Sequence, residues 1–170
     1  KYVLYCHTSF PDMGWDIPEI LMDNEISNNV VFTYVCQETK KVFPHPFAGP
    51  TVPSPFVKAS LAAMSNVKAG VTIEQFNKIY GLFDLYVQYA NSEGFGLPQV
   101  EAAACGVPVM SVDYSAMTSV IRKLGGVPLK PKSLYKEMET GCMRAVPDND
   151  YTAEKFEQFF KMSQEGRNEL

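Results

Sequence analysis

Short apolar runs alternate with amphipathic stretches along most of this sequence, and no other feature limits its possible folds as much. Residues 2–6 (YVLYC), 30–35 (VVFTYV), 85–89 (LYVQY) and 107–112 (VPVMSV) are compact and rich in β-branched and aromatic residues, so each reads as a strand. Residues 127–129 and 143–146 read as shorter ones. Between the runs lie helix signals. Turn residues Pro11, Asp12 and Gly14 precede a helix over 16–22 (DIPEILM), which Asp16 can cap with Pro18 in its first turn. Thr72-Ile73-Glu74-Gln75 has the form of a capping box, and Ile73, Phe76, Ile79 and Tyr80 recur at helical spacing after it. Further helices are expected from Pro98 to Cys105, stopped by Gly106, over 115–123, ended by Gly125 and Gly126, and over 153–162. Such alternation predicts an α/β fold with a parallel sheet covered by helices on both faces, which binds ligands at the carboxyl ends of its strands.

One stretch breaks the pattern. Residues 43–56 hold five prolines: Pro44, Pro46, Pro50, Pro53 and Pro55. Neither a helix nor a central strand survives that density, so a loop or extended excursion is expected over about 37–70. Phe43, Phe47, Val52 and Phe56 suggest that it packs on the domain.

At 170 residues the chain has room for one ordinary domain burying roughly 70% of its extended surface. No apolar run approaches the ~20 residues that span a bilayer, and no signal peptide is visible. The net charge of −4 argues against nucleic acid as a partner. The basic residues from Arg122 to Lys136 read as a solvated face. Cys6, Cys36, Cys105 and Cys142 form no C-x-x-C pair, which fits a reducing compartment, by default the cytoplasm. The chain opens in a strand without an initiator Met and is expected to be a piece of something longer.

The chemistry concentrates in residues 92–109, SEGFGLPQVEAAACGVPV. Gly94 and Gly96 flank Phe95 just past a strand end, where the backbone can turn tightly and approach a ligand. Pro98 suits the start of a helix, because its missing N–H has no intrahelical partner there. The free amides of that turn and the helix dipole make a site for an anion such as a diphosphate. Glu93 precedes the helix and Glu101 follows its first turn. Carboxylates repel phosphate but accept hydrogen bonds from neutral hydroxyls, so the pair suits the two sugars of a nucleotide-sugar. The bland readings are a solvated loop acid for Glu93 and dipole compensation for Glu101. His7 and His45 read as structural or solvated, with no carboxylate or second histidine at metal-ligand spacing. Trp15 and Tyr114 read as packing residues, and Cys105 as a small core residue.

This segment resembles the E-x7-E signature of family 4 glycosyltransferases, retaining enzymes built from two Rossmann-like domains in the GT-B arrangement. Both glycines, the proline, the alanines and Gly106-Val107-Pro108-Val109 carry the resemblance, which extends over about 71–127 and includes Asp113-Tyr114-Ser115. It implies a Rossmann-like, doubly wound parallel sheet forming the C-terminal, donor-binding half of such an enzyme as one domain over 1–170. The acceptor-binding N-terminal domain would lie outside this chain, and the fragment alone should not turn over. Glu101 would bind the ribose, and Glu93, the catalytic candidate, would contact the transferred sugar. The backbone of Gly94, Phe95, Gly96 and Leu97, leading into Pro98, would hold sugar and diphosphate. No metal or other cofactor is expected.

The sequence departs from the family in two places. No Arg/Lys pair matches the residues that usually contact the diphosphate, and the loop after the first strand reads Cys6-His7-Thr8-Ser9-Phe10 where glycines are usual. A degenerate binding or scaffolding module therefore stays open, as does another nucleotide-sugar enzyme such as an epimerase. A dehydrogenase is disfavoured, because no G-x-G-x-x-G opens a helix after a strand.

Overall fold

The computed structural model describes residues 2–11 and 16–168; Asp12, Gly14 and Trp15 lie outside the described residues. The chain divides into two compact units, residues 1–76 and 77–170, with the division inside one helix.

The first unit is built on strand β2 (Val30–Cys36), six of whose seven residues are buried. Strand β1 (Leu4–Cys6) runs parallel to the first half of β2, joined to it through helix α1 (Ile17–Asp23). Asp16 caps α1 as expected, its Oδ1 accepting from the Glu19 N–H at 3.2 Å. Strand β3 (Val42–Pro46) runs antiparallel along the other edge of β2. Strand β5 (Leu61–Met64) pairs antiparallel with the second half of β2, and β4 (Thr51–Pro53) pairs with β5.

The proline-rich stretch is therefore the extended excursion expected, formed of two short strands joined by turns and not a bare loop. Helix and central strand are indeed absent from it, but Pro44, Pro46 and Pro53 sit in edge strands, where a missing N–H costs no ladder bond. Phe43 and Val52 enter the core with Phe32, Tyr34 and Met64, and Phe47 packs against it. Phe56 stays 45% exposed, with Lys41 Nζ 4.9 Å from its ring centre.

In the second unit strands β6 (Tyr86–Gln88), β7 (Val109–Val112) and β8 (Val127–Leu129) form a parallel sheet with β7 in the centre. Helix α3 (Leu97–Ala104) links β6 to β7, and α4 (Ala116–Leu124) links β7 to β8. Every residue of β7 is buried, as a parallel strand covered on both faces should be. Met110, Leu129 and Phe159 form one core cluster; Val112, Met117 and Ala145 form another.

A hairpin of β9 (Pro131–Lys136) and β10 (Met143–Pro147) follows β8, and helices α5 (Asn149–Lys161) and α6 (Gln164–Asn168) end the described chain. Asp148 caps α5 through the Tyr151 N–H, so that helix starts earlier than its apolar spacing suggests. The helix α2 (Ile73–Tyr80) opens on the expected capping box: the Gln75 N–H donates to Thr72 Oγ1 (3.2 Å) and the Thr72 N–H to Gln75 Oε1 (2.9 Å).

The fold is thus mixed α/β with parallel strands, and not one continuous parallel sheet. The reason is chain length. Parallel neighbours need a crossover of a dozen or more residues, and the three parallel pairs are those joined through α1, α3 and α4. Residues 37–41, between β2 and β3, leave room only for an antiparallel return. Among the described residues no helix is long and apolar enough to cross a membrane.

Candidate functional site

The two glutamates singled out by the sequence lie in the second unit, beyond the carboxyl end of β6 and on α3. Strand β6 ends at Gln88, a buried polar residue in an otherwise apolar strand. Its Nε2 donates to Glu93 Oε1 at 3.1 Å, while its Oε1 accepts from the Tyr86 hydroxyl at 2.7 Å. The Glu93 backbone is held separately. Its N–H donates to Ser115 Oγ (3.1 Å), and Ser115 Oγ donates back to its carbonyl (2.9 Å).

Glu101, exposed on α3, is held in a similar way. The Tyr80 hydroxyl, from the end of α2, donates to Glu101 Oε2 at 3.1 Å and to the Pro98 carbonyl at 3.2 Å. Each carboxylate thus has one oxygen oriented by an uncharged donor, and neither belongs to an ion pair among the described residues. The remaining oxygens, Glu93 Oε2 and Glu101 Oε1, accept no hydrogen bond from a described residue. A neutral donor fixes direction without cancelling charge, so both acids keep an acceptor for a hydroxyl-bearing ligand.

The phenols respond to this placement. Burial, then the charge of Glu101, raises the Tyr80 hydroxyl well above its ordinary value. Burial, then the charges of Glu93 and Glu101, pushes Tyr86 up to about 12. Both remain donors at any physiological pH.

Between the glutamates the chain enters α3. Gly96 precedes the helix with φ +81°, a conformation that favours glycine, and a Cβ there would lie 2.5 Å from Gln99 Nε2. Gln99 is fully buried and donates to the Phe95 carbonyl at 3.4 Å. Gly94 differs: a Cβ would meet nothing within 4 Å, so no steric demand of the fold explains it. No side chain caps α3, and Pro98 in its first turn has no N–H, which leaves the amides around Leu97 to face outward partners. Phe95 and Leu97 are 53% and 61% exposed beside them.

The structure therefore brings Glu93, Glu101 and the 94–98 turn to one end of the parallel sheet. It adds Tyr80, Tyr86, Gln88 and Ser115, to which the sequence reading gave no role in the site. Gln88 carried a visible signal as a polar residue inside an apolar strand, and Ser115 fell within the resemblance without a role of its own.

Residues 58–168, well over half of the chain, match the model of a family described as Glycosyl transferases group 1. The chain belongs to the group 1 glycosyl transferases. The matched region holds every residue of the site just described. A comparison with curated proteins finds no match.

Other sequence expectations in this glycosyl transferase are settled by position. Cys105 is not in the core; it lies exposed at the end of α3, its Sγ donating to Asn77 Oδ1 at 3.9 Å, because Gly106 turns the chain there before the apolar run resumes. The Tyr114 hydroxyl donates to the Met143 carbonyl (3.1 Å) and its ring packs on the Val112 cluster. Arg122 of the basic stretch pairs with Asp113 at 3.2 Å, while Lys132 and Lys136 are exposed on β9. In the first unit His7 Nδ1 lies 2.9 Å from Thr33 Oγ1, which donates to the Tyr5 hydroxyl. His7 also lines an open pocket of about 510 Å³ with Thr8, Ser65, Val71 and Phe76. Burial lowers its pKa, which favours the neutral ring. His45 Nδ1 lies 2.7 Å from the Pro46 carbonyl oxygen. Among the described residues no three His, Cys, Asp or Glu side chains gather into a metal site.

Proposed function

We propose that this domain binds the nucleotide-diphospho-sugar donor of a retaining glycosyltransferase and serves as the Rossmann-like, C-terminal half of a GT-B enzyme. The observation that carries the reading is the matched treatment of Glu93 and Glu101: each is oriented by one neutral donor and keeps one oxygen open. Glu101 accepts from the ribose hydroxyls. Glu93 accepts from hydroxyls of the transferred sugar, close to the reacting carbon. The uncapped start of α3, with the backbone of Gly94, Phe95, Gly96 and Leu97 leading into Pro98, receives the diphosphate.

Charge on the leaving nucleoside diphosphate is met by the helix terminus, so this reading needs no resident metal. Turnover of the full-length enzyme should then survive exhaustive chelation, and loss of activity restored by a divalent cation would overturn that part. The acceptor-binding domain lies outside this chain, and the fragment alone does not turn over. We place the protein in the cytoplasm, a reading supported by four cysteines that form no disulfide.

The test is calorimetric titration with UDP, GDP and ADP and their sugar conjugates, beside a Glu101→Ala variant. One nucleotide is expected to bind, and about tenfold less tightly to the variant, the equivalent of a charged hydrogen bond of about 1.4 kcal/mol. Equal binding by the variant would remove Glu101 from the site. No binding by the wild type would favour a degenerate module without transfer activity.

A further inference from the structure

Ser115 stands at the start of α4 with φ +51° and ψ −141°, a backbone conformation that residues with a Cβ rarely adopt. Serine at a helix start ordinarily turns its hydroxyl onto the first-turn amides, yet here it makes no such cap. The hydroxyl is diverted instead to one residue, 22 positions earlier in the chain. It accepts from the Glu93 N–H at 3.1 Å and donates to the Glu93 carbonyl at 2.9 Å, so it both accepts from and donates to that single residue, gripping the peptide groups on either side of its Cα.

Neighbouring bonds hold Ser115 in place. The Asp113 N–H donates to the Leu129 carbonyl at 2.8 Å, the Tyr114 N–H to Val112 at 2.8 Å, and the Tyr114 hydroxyl to Met143 at 3.1 Å. A strained residue persists only where its surroundings over-determine it, and such residues gather at functional sites. Gln88 aims the Glu93 side chain, and the Ser115 clamp fixes the backbone from which it is aimed.

We propose that Ser115 is a positioning residue for the transferred sugar, acting through Glu93. This rests on the reading of Glu93 as the sugar contact, and it goes further by making the strained turn after β7 part of sugar recognition. The sugar-dependent part of donor affinity, meaning the gain of a nucleotide-sugar over the bare nucleotide, is the quantity that Ser115 controls.

Two substitutions separate this role from a structural one. Both Ser115→Gly and Ser115→Ala delete the clamp, but only glycine relieves the backbone strain. Calorimetry on the full-length protein would use UDP and UDP-glucose, GDP and GDP-mannose, and ADP and ADP-glucose, with thermal unfolding alongside. Both variants are expected to lose the sugar-dependent gain, about fivefold or more, while affinity for the bare nucleotide stays within about threefold. Their Tm values should diverge, with Gly at or above wild type and Ala below it.

Retention of the gain in either variant overturns the proposal. So does a parallel fall of both affinities in step with Tm, since that is what a structural role produces. A Glu93→Gln control distinguishes the two levels. If it keeps the gain, the sugar-contact reading fails and Ser115 falls with it; if it loses the gain while the Ser115 variants keep theirs, only the positioning role fails. No binding of any of the six ligands by the wild type overturns the donor site itself.

Discussion

Gly94 and Gly96 are separated by one residue and do unlike things. Gly96 is demanded by the fold, since its φ of +81° and the buried Gln99 amide leave no room for a side chain. Gly96→Ala should cost about 1–3 kcal/mol, read as a lower urea midpoint. Gly94 is free of such demands, so Gly94→Ala should leave the midpoint unchanged and weaken donor binding, because the added methyl stands where a ligand approaches. A midpoint drop with donor affinity intact would reverse that assignment. Tyr80→Phe removes the donor shared by Glu101 and the Pro98 carbonyl. It should cost about 0.5–1.5 kcal/mol of stability and weaken nucleotide binding several-fold, which thermal unfolding and calorimetry would check together.

Capped helices and strands with an apolar, β-branched core were legible in the sequence, and strands without that signature, which form only because a partner strand offers an edge, were not. Asp16 and Thr72 announce α1 and α2 because a cap and its helix lie within four residues of each other. Strand β5 could not be foreseen: Leu61, Ala62 and Ala63 have no strand signature, and they pair because β2 offers an open half-edge. Strand β9, with Lys132, Ser133 and Lys136, hides inside what reads as a solvated basic stretch; only its partner β10, seven or more residues later, makes it a strand. The site shows the same division. Glu93 and Glu101 stand out because a contiguous signature frames them. Ser115 and Tyr80 act across 22 and 21 positions, and nothing in the intervening residues marks the pairing. The turn between α4 and β8 offers a test at this scale. A Cβ at Gly126 would lie 2.6 Å from the Val109 carbonyl oxygen, backbone that cannot step aside without disturbing β7. Gly126→Ala should therefore destabilise by about 1–3 kcal/mol, and a fold as stable as wild type in urea would show that β7 and β8 can part without cost.

The buried phenols give the whole molecule an alkaline limit. Tyr86 ionises near 10.0 when unfolded and at about 12 in the fold, and Tyr34 and Tyr80 are raised as well, each mainly by burial. Below the unfolded value both states hold the proton and stability is at its full level. As pH rises from there toward the folded value, the unfolded chain sheds protons that the folded chain keeps, so stability falls. Urea midpoints should decline over this interval, and Tyr86→Phe should make the decline shallower; an unchanged slope would remove Tyr86 from the account. The prolines of β3 and β4 bear on how molecules of this chain meet one another. The Cys36 N–H donates to the Lys41 carbonyl, which fixes the alternation so that the backbone nitrogens of Pro44 and Pro46 turn away from β2. On the outer rim of β3 two of the three outward positions, 44 and 46, therefore carry no donor, and only the Val42 N–H remains for another strand to meet. Edge-to-edge pairing, the first step toward fibrils, is disfavoured on this rim by composition alone.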